Sequence, residues 1–244
     1  MSRRPTVGVA QRVTTATVRE ARAIAQPPGV DAGLDERIYR GISIYLSMAL
    51  ARTALTPNQI TIGWIVLGLV GSVALGTGVY AVRILGAVVL HISYLFDFVD
   101  GEVARLTRRT SKLGLYWDLV GHGLIKTALF PAIAYGLGGG ATARHFWLLA
   151  TIACVSMATA NNLEFYAARA GLAAGPPAPP STTAPVRGPL ARLRNYAGLA
   201  FHSSGLYLAS FLGALLDRLD LVLWFYAILG PLWFLHWVTK YRYE

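Results

Sequence analysis

Apolar residues run along this chain in six blocks, near positions 57–81, 84–107, 112–137, 145–169, 197–216 and 220–238. Each is close to the ~20 residues that a bilayer-crossing helix needs. The pattern predicts an all-α integral membrane protein with six transmembrane helices. Ahead of the blocks, residues 35–52 mix charge with apolar bulk at helical spacing. Ile38, Ile42, Tyr45, Leu46 and Ala49 share a face, while Arg37, Arg40 and Ser47 lie off it. That predicts an N-terminal amphipathic helix lying on the inner membrane surface. Residues 1–33 are polar and basic, with Pro27, Pro28, Gly29 and Gly33, and read as a mobile cytoplasmic tail. Thr56 is placed to cap the first span, and Pro57 suits its first helical position because the missing N–H is not needed there. Six prolines between Gly175 and Pro189 mark a cytoplasmic loop over 171–195. The organisation expected is therefore a tail over 1–33 and a single six-span domain over 34–244.

Composition agrees with that class. Hydrophobic residues make up 55% of the chain and charged residues 14%, against about 25% charged in ordinary soluble domains. The net charge of +10 could serve nucleic acid in a soluble protein. Here all but four of the 22 Lys and Arg fall in segments that six spans place inside, Arg83, Arg144 and Arg218 falling outside and Lys126 within a span. That bias sets orientation. It predicts a multi-pass protein of the cell inner (plasma) membrane with both termini cytoplasmic and no nucleic-acid partner. No apolar core adjoins the N-terminal charges, so no signal peptide is expected. The single Cys154 allows no intrachain disulfide and has no activating neighbour.

Ionisable groups inside spans are costly and mark function. Asp97 lies 12 residues into the second block, about 18 Å from the outer face and roughly 12 Å from the inner face. Asp118 lies about 9 Å in from the inner face on the third. Two antiparallel helices thus bring them to similar depth. Asp100 sits one turn from Asp97, and His122 one turn beyond Asp118, each pair on one helix face. Three carboxylates and an imidazole converging in a low dielectric call for a cation. Oxygen-rich ligands suit Mg2+ or Mn2+, and the imidazole favours Mn2+. Two ions about 3.5–4 Å apart would suit phosphoryl transfer. Lys126 continues the Asp118–His122 stripe, either pairing with the carboxylates or binding an anionic acceptor group. Asn161 and Arg169, near the cytoplasmic end of the fourth block, are further acceptor candidates. His91, His145, His202 and His236 lack partners at metal-ligand spacing, and the six tryptophans read as interface anchors or core.

Asp97-Phe-Val-Asp100-Gly101-Glu-Val-Ala104-Arg105, eight residues, then Gly114-Leu-Tyr-Trp-Asp118-Leu-Val-Gly-His122 resembles the signature of the CDP-alcohol phosphotransferase family, Asp-x2-Asp-Gly-x2-Ala-Arg-x8-Gly-x3-Asp-x3-Asp. Only the last position departs, with His122 in place of aspartate. Thr56-Pro57-Asn58-Gln59-Ile60-Thr61 is similar to the opening of the family's first span. The resemblance covers about residues 35–240. It implies metal binding by Asp97, Asp100 and Asp118, and close approach of a CDP-linked donor at Gly101 and Gly114. Ala104 would leave room for that donor, Arg105 would help neutralise its phosphate, and Asn58 would add a contact. An acceptor hydroxyl would attack the β-phosphate and release CMP, in a homodimer. The fourth aspartate's work, metal binding and deprotonation of the acceptor, would fall to His122 with Asp118. CDP-diacylglycerol as donor would make the reaction one of phospholipid biosynthesis. Competing readings are a degenerate, non-catalytic member, a transporter with an intramembrane carboxylate cluster, and a metal-dependent prenyltransferase. Neither of the last two needs the Gly-x2-Ala-Arg-x8-Gly spacing.

Overall fold

The computed structural model describes residues 17–26, 34–138, 143–169 and 200–240, without the side chains of 34–36, 161–169, 237 and 240. All regular structure among the described residues is helical. The helices are α1 (Val18–Ala25), α2 (Leu34–Leu50), α3 (Pro57–Leu75), α4 (Tyr80–Thr107), α5 (Lys112–Gly138), α6 (Arg144–Arg169), α7 (Ser203–Leu215) and α8 (Leu219–Lys240).

Local chemistry explains where the site-bearing helices begin and end. Thr56 caps α3 reciprocally: its hydroxyl accepts from the Gln59 amide at 3.3 Å, and Gln59 Oε1 accepts from the Thr56 amide at 2.9 Å. Pro57 occupies the first turn, as its fixed φ allows. α4 stops at Arg108, which turns left-handed at φ 57°, while the Arg109 amide bonds back to the Ala104 carbonyl at 2.8 Å. Ser111 then starts α5 by accepting from the Gly114 amide at 2.9 Å.

α3 packs along α4 and α5, α6 lies between α5 and α8, and α7 leans on α4. The α3–α4 crossing is close because it is lined by glycines. A Cβ on Gly71 would stand 2.8 Å from the Gly86 carbonyl oxygen, and one on Gly86 equally close to that of Gly71. The main core gathers Trp64, Leu90, Tyr94, Ile125, Leu129, Phe130, Tyr207 and Tyr226. Arg83 ties the far ends of the helices together: Nε donates to the Thr77 carbonyl at 2.6 Å, Nη2 to that of Gly136 at 2.8 Å, and Nη1 pairs with Asp217 at 2.8 Å.

Among the described residues, three helices are long and apolar enough to cross a bilayer: Pro57–Leu75, Tyr80–Thr107 and Leu219–His236. Their outward surfaces carry large apolar residues such as Val66, Val70 and Val73 on α3, Leu85 and Ile92 on α4, and Ile228 and Leu232 on α8, as a lipid-facing surface requires. On length and composition the structure thus supplies three spans where the sequence pattern leads to six. α5 carries Lys112, Asp118 and Lys126, and α7 has 13 residues, about 20 Å against a ~30 Å hydrocarbon core.

One expectation is corrected at the N-terminus. Part of the segment that reads as a mobile tail forms α1, capped by Thr17 and Glu20 and docked through Ala21 and Ala25, which are fully buried. Short, Arg-rich and Ala-rich, it gives no apolar block, and its burial depends on partners distant in sequence. On α2, Ile38, Ile42, Tyr45 and Ala49 face outward. Arg40, Ser43 and Ser47 are buried: the two serines donate to a carboxylate on α4, and the Arg40 guanidinium lies over the Phe98 ring at 5.4 Å. The 171–195 loop lies outside the described residues.

Candidate active site

α4 and α5 bring Asp97, Asp118 and His122 together. His122 Nε2 lies 3.5 Å from Asp97 Oδ2 and 3.6 Å from Asp118 Oδ1. These separations exceed an ordinary N–H···O hydrogen bond. One ligand atom from each of the three residues lies within 4.8 Å of the others. Ligands about 2.0–2.2 Å from a common ion stand roughly 3–4.4 Å apart, a range that includes both His122–carboxylate separations, so the cluster could hold a divalent metal. Two carboxylates and one imidazole are ligands that divalent ions take. His122 Nδ1 is buried without a hydrogen-bond partner, and the ring leans on Trp64 with centroids 5.2 Å apart.

Asp100 stands outside this group of three. It is 8% exposed, and its Oδ2 accepts from Thr61 Oγ1 at 2.5 Å and from Trp64 Nε1 at 2.8 Å. α3 thereby fixes the carboxylate from one side. Thr61 appears in the sequence motif without an assigned role. Trp64 belongs by composition with the interface or core tryptophans, and it is core, at 1% exposure, but its indole N–H is a site contact. Sequence spacing along α3 does place Thr61 and Trp64 one turn apart on one face. What they face depends on the helix crossing.

Toward the Arg108 end, a Cβ on Gly114 would lie 3.2 Å from Asn58 Oδ1 and 3.3 Å from Ser111 Oγ. Asn58 and Gly114 therefore adjoin across α3 and α5. A Cβ on Gly101 would lie 3.4 Å from both Nη atoms of Arg105, so the guanidinium lies over Gly101, one turn from Asp97. Ala104 is half-buried beside them. Lys126 is buried one turn beyond His122. Asn161 and Arg169 fall in the last turns of α6, where side chains are outside the described set.

One buried carboxylate has no signal in the sequence that singles it out. Glu102 is fully buried and accepts from Ser43 Oγ at 2.6 Å, Ser47 Oγ at 2.6 Å and Gln26 Nε2 at 2.7 Å. It lies two residues beyond Asp100, on another face of α4, and anchors α1 and α2. His91, without a metal-ligand partner in the sequence, meets the Tyr39 hydroxyl through Nδ1 at 2.5 Å.

Comparison with known proteins places these residues in a family context. A family model described as CDP-alcohol phosphatidyltransferase matches residues 54–196, a stretch that contains every residue of the metal cluster. Similar curated proteins include the "Bifunctional IPC transferase and DIPP synthase" of Aquifex aeolicus (strain VF5), 32% identical over 107 residues, or 44% of this chain and 24% of that protein. The protein of the same description from Thermococcus kodakarensis (strain ATCC BAA-918 / JCM 12380 / KOD1) is 30% identical over 105 residues, or 43% and 23%. The match spans about a quarter of the length of each relative.

Proposed function

The chain belongs to the CDP-alcohol phosphatidyltransferase family, and we propose that it transfers a substituted phosphate from CDP-diacylglycerol to the hydroxyl of a polar alcohol, releasing CMP. The observation that carries this reading is the convergence of Asp97, Asp118 and His122 from α4 and α5, beside a glycine-flanked guanidinium. A lipid donor is supported by the apolar outward surfaces of α3 and α4, which suit contact with acyl chains.

Asp97, Asp118 and His122 would hold a divalent ion, with Asp100 completing the acidic set from the α3 side. Such ions, Mg2+ or Mn2+ and two in the working site, supply positive charge to the donor's diphosphate. Arg105 adds charge-assisted hydrogen bonds to the same phosphates. Gly101, Ala104 and Gly114 leave room along the helix backbones for the cytidine end, with Asn58 at its edge. The acceptor oxygen forms a bond to the β-phosphorus. The bond from that phosphorus to the bridging oxygen breaks, and CMP leaves with the electron pair. The hydroxyl proton passes to His122 or Asp118. Lys126, Asn161 and Arg169 are assigned to the acceptor.

Exchange of labelled CMP into CDP-diacylglycerol, with metal present, tests the donor half alone. Incorporation that EDTA abolishes is the expected result. Exchange into a polar CDP-alcohol only would refute the lipid donor, and no exchange with any CDP-alcohol would refute the transferase reading.

We further propose that α3 to α8 form six spans in the plasma membrane with both termini cytoplasmic. The support is the distribution of Lys and Arg and the packing of α5 and α6 among the apolar helices. A reporter after Glu244 and one within Pro176–Pro189 should read cytoplasm, and one between Gly138 and Arg144 the outside. A Pro-rich loop that reads outside would sink this topology.

A further inference from the structure

α1 ends directly on the candidate donor site. Its last carbonyls have no partner within the helix, and that of Ala25 accepts from Arg105 Nε at 2.6 Å. A cation at a helix C-terminus is also favoured by the helix dipole. The next residue, Gln26, spends both amide hydrogens on the same junction. Nε2 donates to the Arg40 carbonyl on α2 at 2.8 Å and to Glu102 Oε1 on α4 at 2.7 Å. Glu102 is held in turn by Ser43 and Ser47. Ala21 and Ala25 pack in one buried cluster with Ile44, Val99 and Val103, so the helix has a fitted seat. The seat and the polar contacts agree in direction: both fix the C-terminal end of α1 against the last two turns of α4.

The effect on Arg105 is specific. A guanidinium has five N–H donors in a rigid fork. With Nε committed to Ala25, the two Nη atoms lie over Gly101, on the same face of α4 as Asp97. Those are the donors a diphosphate would take. Without α1, the long Arg105 side chain would regain its rotamer freedom and have to be ordered again on binding.

We propose that α1 is a positioning clasp: the Ala25 carbonyl and the Gln26 amide preset Arg105 for the diphosphate of the CDP-linked donor. The N-terminal segment thereby sets donor affinity without touching the donor. Ala25, Gln26 and Glu102 are positioning residues in this arrangement, and Arg105 is the binding residue. The inference rests on the transferase reading above.

The test uses the full chain in lipid nanodiscs and CDP titrated in the presence of Mn2+, with melting temperature measured alongside. Gln26→Ala should weaken CDP binding about 5- to 10-fold. Ala21→Leu, which wedges α1 off its seat, should do the same. Arg105→Ala should weaken binding further, and adding Gln26→Ala to it should then cost nothing more, because the clasp acts only through Arg105. Unchanged CDP affinity in both α1 variants overturns the clasp. So does a Gln26→Ala loss that persists at full size in the Arg105→Ala background, which would mean a general structural effect. A wild-type chain that does not bind CDP overturns the transferase reading itself.

Discussion

Asp97→Asn and Asp118→Asn should each lower transfer by at least about 10²–10³-fold, the range for removing one preorganised charge-stabilising group. Each substitution keeps the side-chain volume and removes a negative charge from a cluster whose ligand atoms lie within 4.8 Å of one another. An amide oxygen still ligates, but weakly. Metal affinity should fall with activity, and excess Mn2+ should restore part of the loss. Asp100→Asn separates two jobs. Its amide oxygen can still accept from Thr61 and Trp64, so the seat against α3 survives while the charge is lost. Activity should drop with little change in melting temperature. CMP exchange and metal titration on the purified variants check all three. Near-normal exchange in Asp97→Asn or Asp118→Asn, with metal dependence intact, would remove the metal site from these two helices.

The meeting of Asp97, Asp118 and His122 is legible in the sequence, for a physical reason. Depth along a helix follows from residue count, and facing follows from a 3.6-residue period, so two antiparallel spans with charges at one depth are close to determined. The start of α3 is legible too, since Thr56, Pro57 and Gln59 form their cap from neighbours in the chain. The partners of the polar face of α2 are not. Periodicity says which residues share a face, but not which side chains that face meets. The buried Ser43 and Ser47 follow from Glu102, 59 and 55 positions further along, and the buried Arg40 from Phe98, 58 positions along. The partners of Asp100 are hidden for the same reason. Thr61 and Trp64 are 39 and 36 residues away, and only the α3–α4 crossing brings them to it. α1 lacks any apolar block, and its stability in place comes from Arg105, Glu102 and the fitted Ala21 and Ala25.

His122→Ala should cut turnover by about 10²–10⁴-fold, the usual range for a positioned acid–base group, with a smaller effect on CDP binding. The geometry distinguishes what the ring does. Nε2 points between Asp97 and Asp118 at 3.5 and 3.6 Å, where a ligand nitrogen would stand. Nδ1 is buried without a partner, unlike the second nitrogen of most metal-bound histidines, which donates to a carbonyl or carboxylate that fixes the tautomer. The ring is held by its position on α5 and by Trp64. If His122 ligates, His122→Asp should retain much of the activity while moving metal preference from Mn2+ toward Mg2+, since an oxygen replaces a nitrogen. If it only accepts a proton, His122→Asp should leave the metal preference where it was and lose turnover, because a carboxylate is the weaker base. Rates of His122→Ala and His122→Asp across a series of Mg2+ and Mn2+ concentrations read both cases. Full turnover in His122→Ala with unchanged metal preference would leave the ring as packing against Trp64, with Asp118 or the bound ion left to activate the acceptor.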